Sequence, residues 1–465
     1  MSRKTNTLII ALGVLVLLGI AYYWSIAWNK SKTDSAFSSY APSPSLGNLQ
    51  GAELVKIEVN GLVLENINGN WKLVSLEGGA PPAGIELDQS RIRYMSYSLA
   101  SIWVDQVIDE MPSDVSQYGL DKPSYKASVT NSAGQKVEYL LGNMTPSRTF
   151  YYVMEAGDPK VYSISPYTAE YMQFTLDSIR QRTLFPLFEA SELTQLRVES
   201  SRFKPIEISL KPKTPTLDLT GLFSIHFITS PYTHTRGVDS EAFDNWLAPF
   251  NDLSIVDFVD DAPSSLKPYG LDDPVRVFLQ TEEKSLDLLI GRNEPGGKRY
   301  AKLADAPGVF TLYDMESIIN VKPFTMINKF ALLLYIDSVD HLSISGGEKN
   351  LSADFKGTGD DAIYYLNGRK TEMSSFKTFY QAVIGLLVDA EYPGPVRQGE
   401  DSGEVTIEYL LNNPPGERLA ITLVPYNRDF YALRQNGATE FLISRNQVRR
   451  IYETADAVIY VDLKE

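Results

Sequence analysis

Three serine–lysine spacings could support acyl transfer: Ser201 with Lys204, Ser264 with Lys267, and Ser374 with Lys377. A lysine three residues after a serine can take the hydroxyl proton, but enzymes built this way also carry Ser-Asp-Asn and Lys-Thr-Gly segments. Neither segment occurs. Gly357-Thr358-Gly359 followed by Ala362 has the outline of a dinucleotide-binding loop. That loop needs a strand before it and a helix after it. Here both flanks read as strands, so a hairpin turn is expected. Asp260-Asp261, Asp272-Asp273 and Asp360-Asp361 offer the clustered oxygens that calcium prefers, without the spacing of an EF-hand loop.

The histidines are three, His226, His234 and His341, and there is no cysteine. His226 and His234 stand eight apart with no third ligand spaced to join them. Without cysteine there is no thiolate nucleophile, no Cys-ligated zinc and no disulfide. The 58 acidic side chains allow many carboxylate pairs for glycoside hydrolysis, and no motif selects one. The expected catalytic, cofactor-binding and metal-ligating sets are therefore empty, and a non-enzymatic protein is expected. Among 27 tyrosines, the pairs Tyr151-Tyr152 and Tyr364-Tyr365 could stack on sugars. Strand alternation predicts one ring of each pair in the core and one outside.

A formal charge of −15 disfavours nucleic acid as a partner, because the chain would repel the phosphate backbone. Leu8–Trp28 is an apolar run interrupted by Ser25 alone, long enough as a helix to cross a bilayer core of about 30 Å. Tyr22, Tyr23, Trp24 and Trp28 gather at its far end, at headgroup level. Ser25-Ile26-Ala27 fits a signal-peptidase pattern. The run is long for a cleaved segment, so an uncleaved anchor is expected. Arg3 and Lys4 against Lys30 and Lys32 lean towards a cytoplasmic N-terminus and an extracytoplasmic bulk. Residues 30–53 are rich in Ser, Pro and Gly and read as a flexible tether.

The remainder repeats itself. "YGLDKP" at Tyr118 returns as "YGLDDP" at Tyr269, and each leads to strands ending "LLG" at Gly142 or "LIG" at Gly291. Asn60-Gly61 and Asn68-Gly69 are hairpin signals inside a first meander. Amphipathic stripes follow each of three meanders: Ile92, Met95, Leu99, Ile102; Phe243, Trp246, Leu247, Phe250; Phe376, Phe379, Val383, Leu386. Asp88 and Asp239 are the expected N-caps of the first two. Val104-Asp105, Val256-Asp257 and Val388-Asp389 close the three stripes. Further helices are expected from Ser165-Pro166, Asp314 and Ser444, the last with Gln447 completing a capping box. Within YGLDxP the glycine should take a positive φ, the aspartate should fold onto backbone donors, and Tyr and Leu should tuck inwards. The third unit replaces the phrase with "PGPVRQGEDSGE".

The expected fold is α+β: a transmembrane helix followed by three tandem repeated domains with antiparallel sheets. The anchor occupies 1–29, the tether 30–53, and the repeats 54–192, 193–336 and a divergent 337–465.

With its paired YGLDxP…LLG/LIG motif behind a single N-terminal anchor, the chain resembles a bacterial family defined only as a domain of unknown function. Its members are membrane-anchored proteins, often encoded beside ABC-type transporter components of the gliding-motility kind. The likeness covers the anchor and roughly residues 54–345, and carries over no catalytic or binding residue. It implies an extracytoplasmic accessory subunit whose partners are the membrane and an ABC transporter permease and ATPase. A module holding envelope glycan or peptidoglycan through exposed aromatics is the second expectation, and a carboxylate-pair hydrolase the third.

Overall fold

The computed structural model describes residues 44–49, 53–210, 224–313, 315–394, 403–413 and 415–461. The expected anchor Leu8–Trp28, the cap Asp314 and most of the divergent segment replacing the motif lie outside these residues. Among the described residues no helix is long and apolar enough to cross a membrane. The chain divides into two compact units that meet in sequence between Gln181 and Arg182. Both are α+β, with antiparallel pairing between neighbouring strands.

The first meander forms where the dipeptides predict. Asn60 and Gly61 have φ of 48° and 83°, Asn68 and Gly69 56° and 86°. Two left-handed central residues suit the twist of the flanking strands. Val59 therefore faces Leu62 and Ile67 faces Asn70 across the two turns. Alternation then points Ile57, Val59, Leu62 and Leu64 into the core.

The first unit's large sheet runs, across its width, Asn70–Leu76, Leu62–Ile67, Leu54–Val59, Tyr125–Asn131, Lys136–Met144, Tyr151–Glu155, Val161–Ile164 and Gln106–Asp109. Its centre thus pairs the first meander strand with the strand that follows YGLDKP. The second unit holds two sheets of nine described strands each. In one, Leu193–Ser200 lies beside Val275–Thr281; in the other, Val339–Gly346 lies beside Val405–Asn412. All three sheets have the same order of meander, post-turn strands and a closing edge strand. Phe185 to Val458 share one hydrophobic cluster in the second unit, spanning both of its sheets. Thr183–Phe185, inside the first expected domain, pairs with Leu253–Ser254 of the second unit, and Phe185 is buried there. At the other end, Ser45–Leu46, inside the expected tether, pairs with Ile102–Trp103.

Three amphipathic helices cover the sheets: α1 (Gln89–Ala100), α2 (Ser240–Leu247) and α3 (Met373–Ile384). Asp88 accepts from the Arg91 amide and Asp239 from the Ala242 amide, as expected of N-caps. Glu372 caps α3 by accepting from both Ser374 and Ser375, a role its length conceals in the sequence. Each expected stripe outruns its helix. Ser101 turns extended, so Ile102 is buried from a strand. Phe250 sits in a 3-10 turn around Pro249, and Leu386 lies beyond Gly385.

The closing helices are uneven. Ser165 caps the short Pro166–Glu170, with Pro166 at the first helical position where its missing N–H costs nothing. Arg445–Asp456 (α4) follows Ser444, but the expected capping box is not formed. Gln447 instead binds the Leu387 backbone and the Asp389 carboxylate, which itself accepts from the Ser444 amide. Asp389, of the third Val-Asp pair, thereby accepts from the Ser444 amide in place of the expected Gln447 side chain.

Candidate functional site

The YGLDxP stretch is the most specific signal in the chain, and both copies adopt one geometry. Ser116–Tyr118 and Lys267–Tyr269 are single 3-10 turns, ended by Gly119 at φ 72° and Gly270 at φ 66°. A side chain is strained in that region, which explains both glycines. The next leucines, Leu120 and Leu271, are buried, and their amides return to Val115 O and Leu266 O.

The turn is pressed onto the strand that ends "LLG" or "LIG". A Cβ on Gly142 would fall 2.2 Å from Tyr118 O, and one on Gly291 2.2 Å from Tyr269 O. Leu120 and Leu271 crowd the same positions at 3.1 Å. The two ends of the repeated phrase are therefore one interlocked contact. The tyrosines complete it: Tyr118 donates to Asp109 and Tyr269 to Asp260, each at 3.0 Å. Tyr152 meets the first ring edge-on at 4.9 Å, and Tyr300 meets the second at 5.2 Å. Both phenols are pushed above their ordinary pKa, Tyr118 chiefly by burial and Tyr269 chiefly by its bond to Asp260. The expected role of the motif aspartate is not met. Asp121 and Asp272 are exposed, and among the described residues neither carboxylate has a hydrogen-bond partner.

The other candidates are scattered. Among the described residues no hydrogen bond joins serine to lysine in any Ser-x-x-Lys pair. Ser201 donates to Asp273, while Lys377 borders an apolar groove of about 270 Å³ with Tyr335, Tyr380 and Ile384. Gly357 and Gly359, at φ 76° and 62°, turn the chain between Leu351–Lys356 and Ile363–Leu366, the expected hairpin. His226 is buried against Phe243 with Nε2 on Leu193 O, and burial holds its pKa below the usual value. His234 instead bonds Gln435 O. Among the described residues no group of three or more His, Asp and Glu side chains could hold a metal ion. Tyr364 is buried and stacked on Phe376 at 4.6 Å while Tyr365 is half-buried, following the expected alternation. Tyr151 and Tyr152 are both half-buried.

Two groupings escaped sequence reasoning. In the second unit Arg236, 1% exposed, donates to Phe330 O and lies 5.0 Å from the Phe441 ring. Beside it Lys329 Nζ is enclosed 3.2 Å from the Phe324 ring centroid, and burial brings its pKa down to about 8. Tyr232 donates to Glu391 nearby, so this polar seam joins the unit's two sheets. No local pattern marks it. In the first unit Tyr94 (56% exposed), Tyr97 (71%) and Tyr167 (61%) lie uncovered, with the Tyr94 and Tyr167 hydroxyls 2.9 Å apart. Arg93 and Tyr97 also border a hollow of about 710 Å³ whose floor includes Trp71. The three-residue step from Tyr94 to Tyr97 was visible in the sequence.

Gly142→Ala and Gly291→Ala should each lower unfolding free energy by about 1–3 kcal/mol through overpacking. Gly308→Ala, whose Cβ would meet nothing nearer than 3.8 Å, should be near neutral. Denaturant titration checks both. Tyr162, buried and donating to Asp158 at 2.8 Å, has its phenol pushed up to about 12, as burial foremost dictates. A phenol raised in the fold stabilises it fully below the unfolded value near 10 and progressively less as pH climbs. The denaturation midpoint should therefore fall between pH 10 and 12, and Tyr162→Phe should flatten that fall.

No curated protein and no solved structure matches the chain. One family profile, described as Domain of unknown function (DUF4340), matches residues 79–274 and, overlapping, 228–392. The two matches begin at an offset much like that of the two motif copies, and together they cover well over half of the sequence. The chain belongs to the DUF4340 family.

Proposed function

We propose that this protein is a non-enzymatic interaction subunit, anchored in the cell membrane by Leu8–Trp28 with its bulk outside the cytoplasm, that assembles with the permease and ATPase of an ABC-type transport complex. The observation that carries this reading is the use to which the repeated motif is put. Its glycines, leucines and tyrosines are consumed in holding a turn against a strand, at Tyr118–Gly142 and again at Tyr269–Gly291. Residues spent on packing twice over build a scaffold, and a scaffold acts through its surface. The repeated sheet order supports the same view, since three similar sheets present similar surfaces for contacts.

A second reading has one observation in its favour. Exposed tyrosines beside the Trp71 hollow suit a neutral envelope glycan, whose flat faces stack on aromatic rings. The two readings separate in one experiment. Full-length protein, taken from its own membrane in mild detergent, should co-purify in fixed ratio with an ABC ATPase and a membrane subunit. Replacing Leu8–Trp28 with a polar linker should leave the domains folded and abolish that recovery. Retention on purified cell wall with no transporter subunit would overturn the first reading in favour of the second.

A further inference from the structure

The outward face of α1 is unlike the rest of this acidic chain. From Gln89 to Ala100 it contains no Asp or Glu, while Arg91 and Arg93 are exposed. Among the described residues neither guanidinium has an ion-pair partner. Asp88, the nearest acid in sequence, is occupied in capping the helix. At 3.6 residues per turn, Tyr94 and Tyr97 share the centre of the outward face, and Arg91 and Arg93 fall on its two flanks. Tyr167 extends the ridge through its hydroxyl contact with Tyr94. Three amphipathic rings between two free cations form a surface suited to the headgroup layer of an anionic bilayer.

The path of the chain favours that occupant. The described residues begin at Pro44, whose carbonyl accepts from the Val104 amide at 3.1 Å. Ser45 pairs with Trp103, itself 64% exposed, and the Leu49 amide donates to Ala100 O. The point where the chain enters the first unit is thus fixed at the C-terminal end of α1. Residues 29–43 separate it from the apolar run, and 15 residues reach roughly 20 Å by coil statistics. So short a connection gives the α1 face a high effective concentration at the bilayer, and a weak surface contact then suffices.

We propose that the α1 face, Arg91, Arg93, Tyr94 and Tyr97 with Tyr167, docks the first unit onto anionic phospholipid headgroups of the membrane that holds the anchor. The inference rests on the anchored reading above, and the test keeps the two apart. The chain has no cysteine, so Ser90→Cys carries a single fluorophore on α1, and Ser147→Cys carries one on an exposed turn as the reference. Full-length protein is incorporated into vesicles of phosphatidylcholine alone or with about one third phosphatidylglycerol, each bearing a headgroup nitroxide quencher. Quenching at position 90 should exceed that at 147 at least twofold in the anionic vesicles. It should drop to the reference level in phosphatidylcholine, at high salt, and in Arg91→Glu/Arg93→Glu. An unchanged denaturation midpoint for that variant excludes misfolding. Equal quenching at the two positions, or indifference to lipid charge and charge reversal, overturns the docking while leaving the anchor intact. Failure of the protein to float with either vesicle overturns the anchor, and the docking with it.

Discussion

The oxygen of Tyr118 occupies the space that a side chain on Gly142 would need, and Tyr269 does the same to Gly291. This close approach sets where the turn after the edge strand can lie. With the turn so placed, the tyrosine hydroxyl reaches the carboxylate at the end of that strand, Asp109 or Asp260, and the leucine enters the core. The edge strand, the post-turn strands and the helix-covered face are then held in one arrangement by a contact of a few atoms. Its cost is two residues without side chains in each copy. Its gain is that a lone edge strand, Gln106–Asp109 or Phe258–Asp260, is tied down by a side chain as well as by its ladder.

The legible features were those encoded within a few residues. Hairpins at Asn60-Gly61 and Asn68-Gly69, caps at Asp88 and Asp239, and the left-handed Gly119 and Gly270 all depend on local backbone preference. So does the apolar period of α1, α2 and α3, although Ser101, Pro249 and Gly385 end each helix before the last apolar residue of its stripe. Reasoning failed where a distant residue decided the outcome. Gln447 looked like a capping-box partner of Ser444, yet Asp389, brought close by the fold, satisfies that amide and draws Gln447 to itself. The meaning of Gly142 was hidden for the same reason: 24 residues separate it from the carbonyl that excludes its side chain. The enclosed Arg236 and Lys329 have no sequence signature, because each is defined by rings and carbonyls contributed from other strands.

The proposed function rests on how the repeated motif is used and on which surface is unusual. No serine of the Ser-x-x-Lys spacings bonds its lysine among the described residues, Ser201 donates instead to Asp273, and His226 and His234 rest on backbone carbonyls. The unusual surface lies on α1, where arginines and tyrosines stand uncovered in a chain of net charge −15. Tyrosine and arginine are both enriched at the centres of binding surfaces, tyrosine because its rigid ring buries area at low entropic cost and arginine because its planar cation both stacks and donates hydrogen bonds. The repeated motif thus serves architecture, and the proposed recognition falls to exposed faces.

That assignment is tested most directly by removing both motif hydroxyls, Tyr118→Phe with Tyr269→Phe, and measuring stability and complex recovery on the same preparation. A structural motif predicts a lower denaturation midpoint, with undiminished recovery of partner subunits at temperatures where the variant stays folded. An unchanged midpoint together with loss of the partners would contradict the account and make the motif itself the binding site.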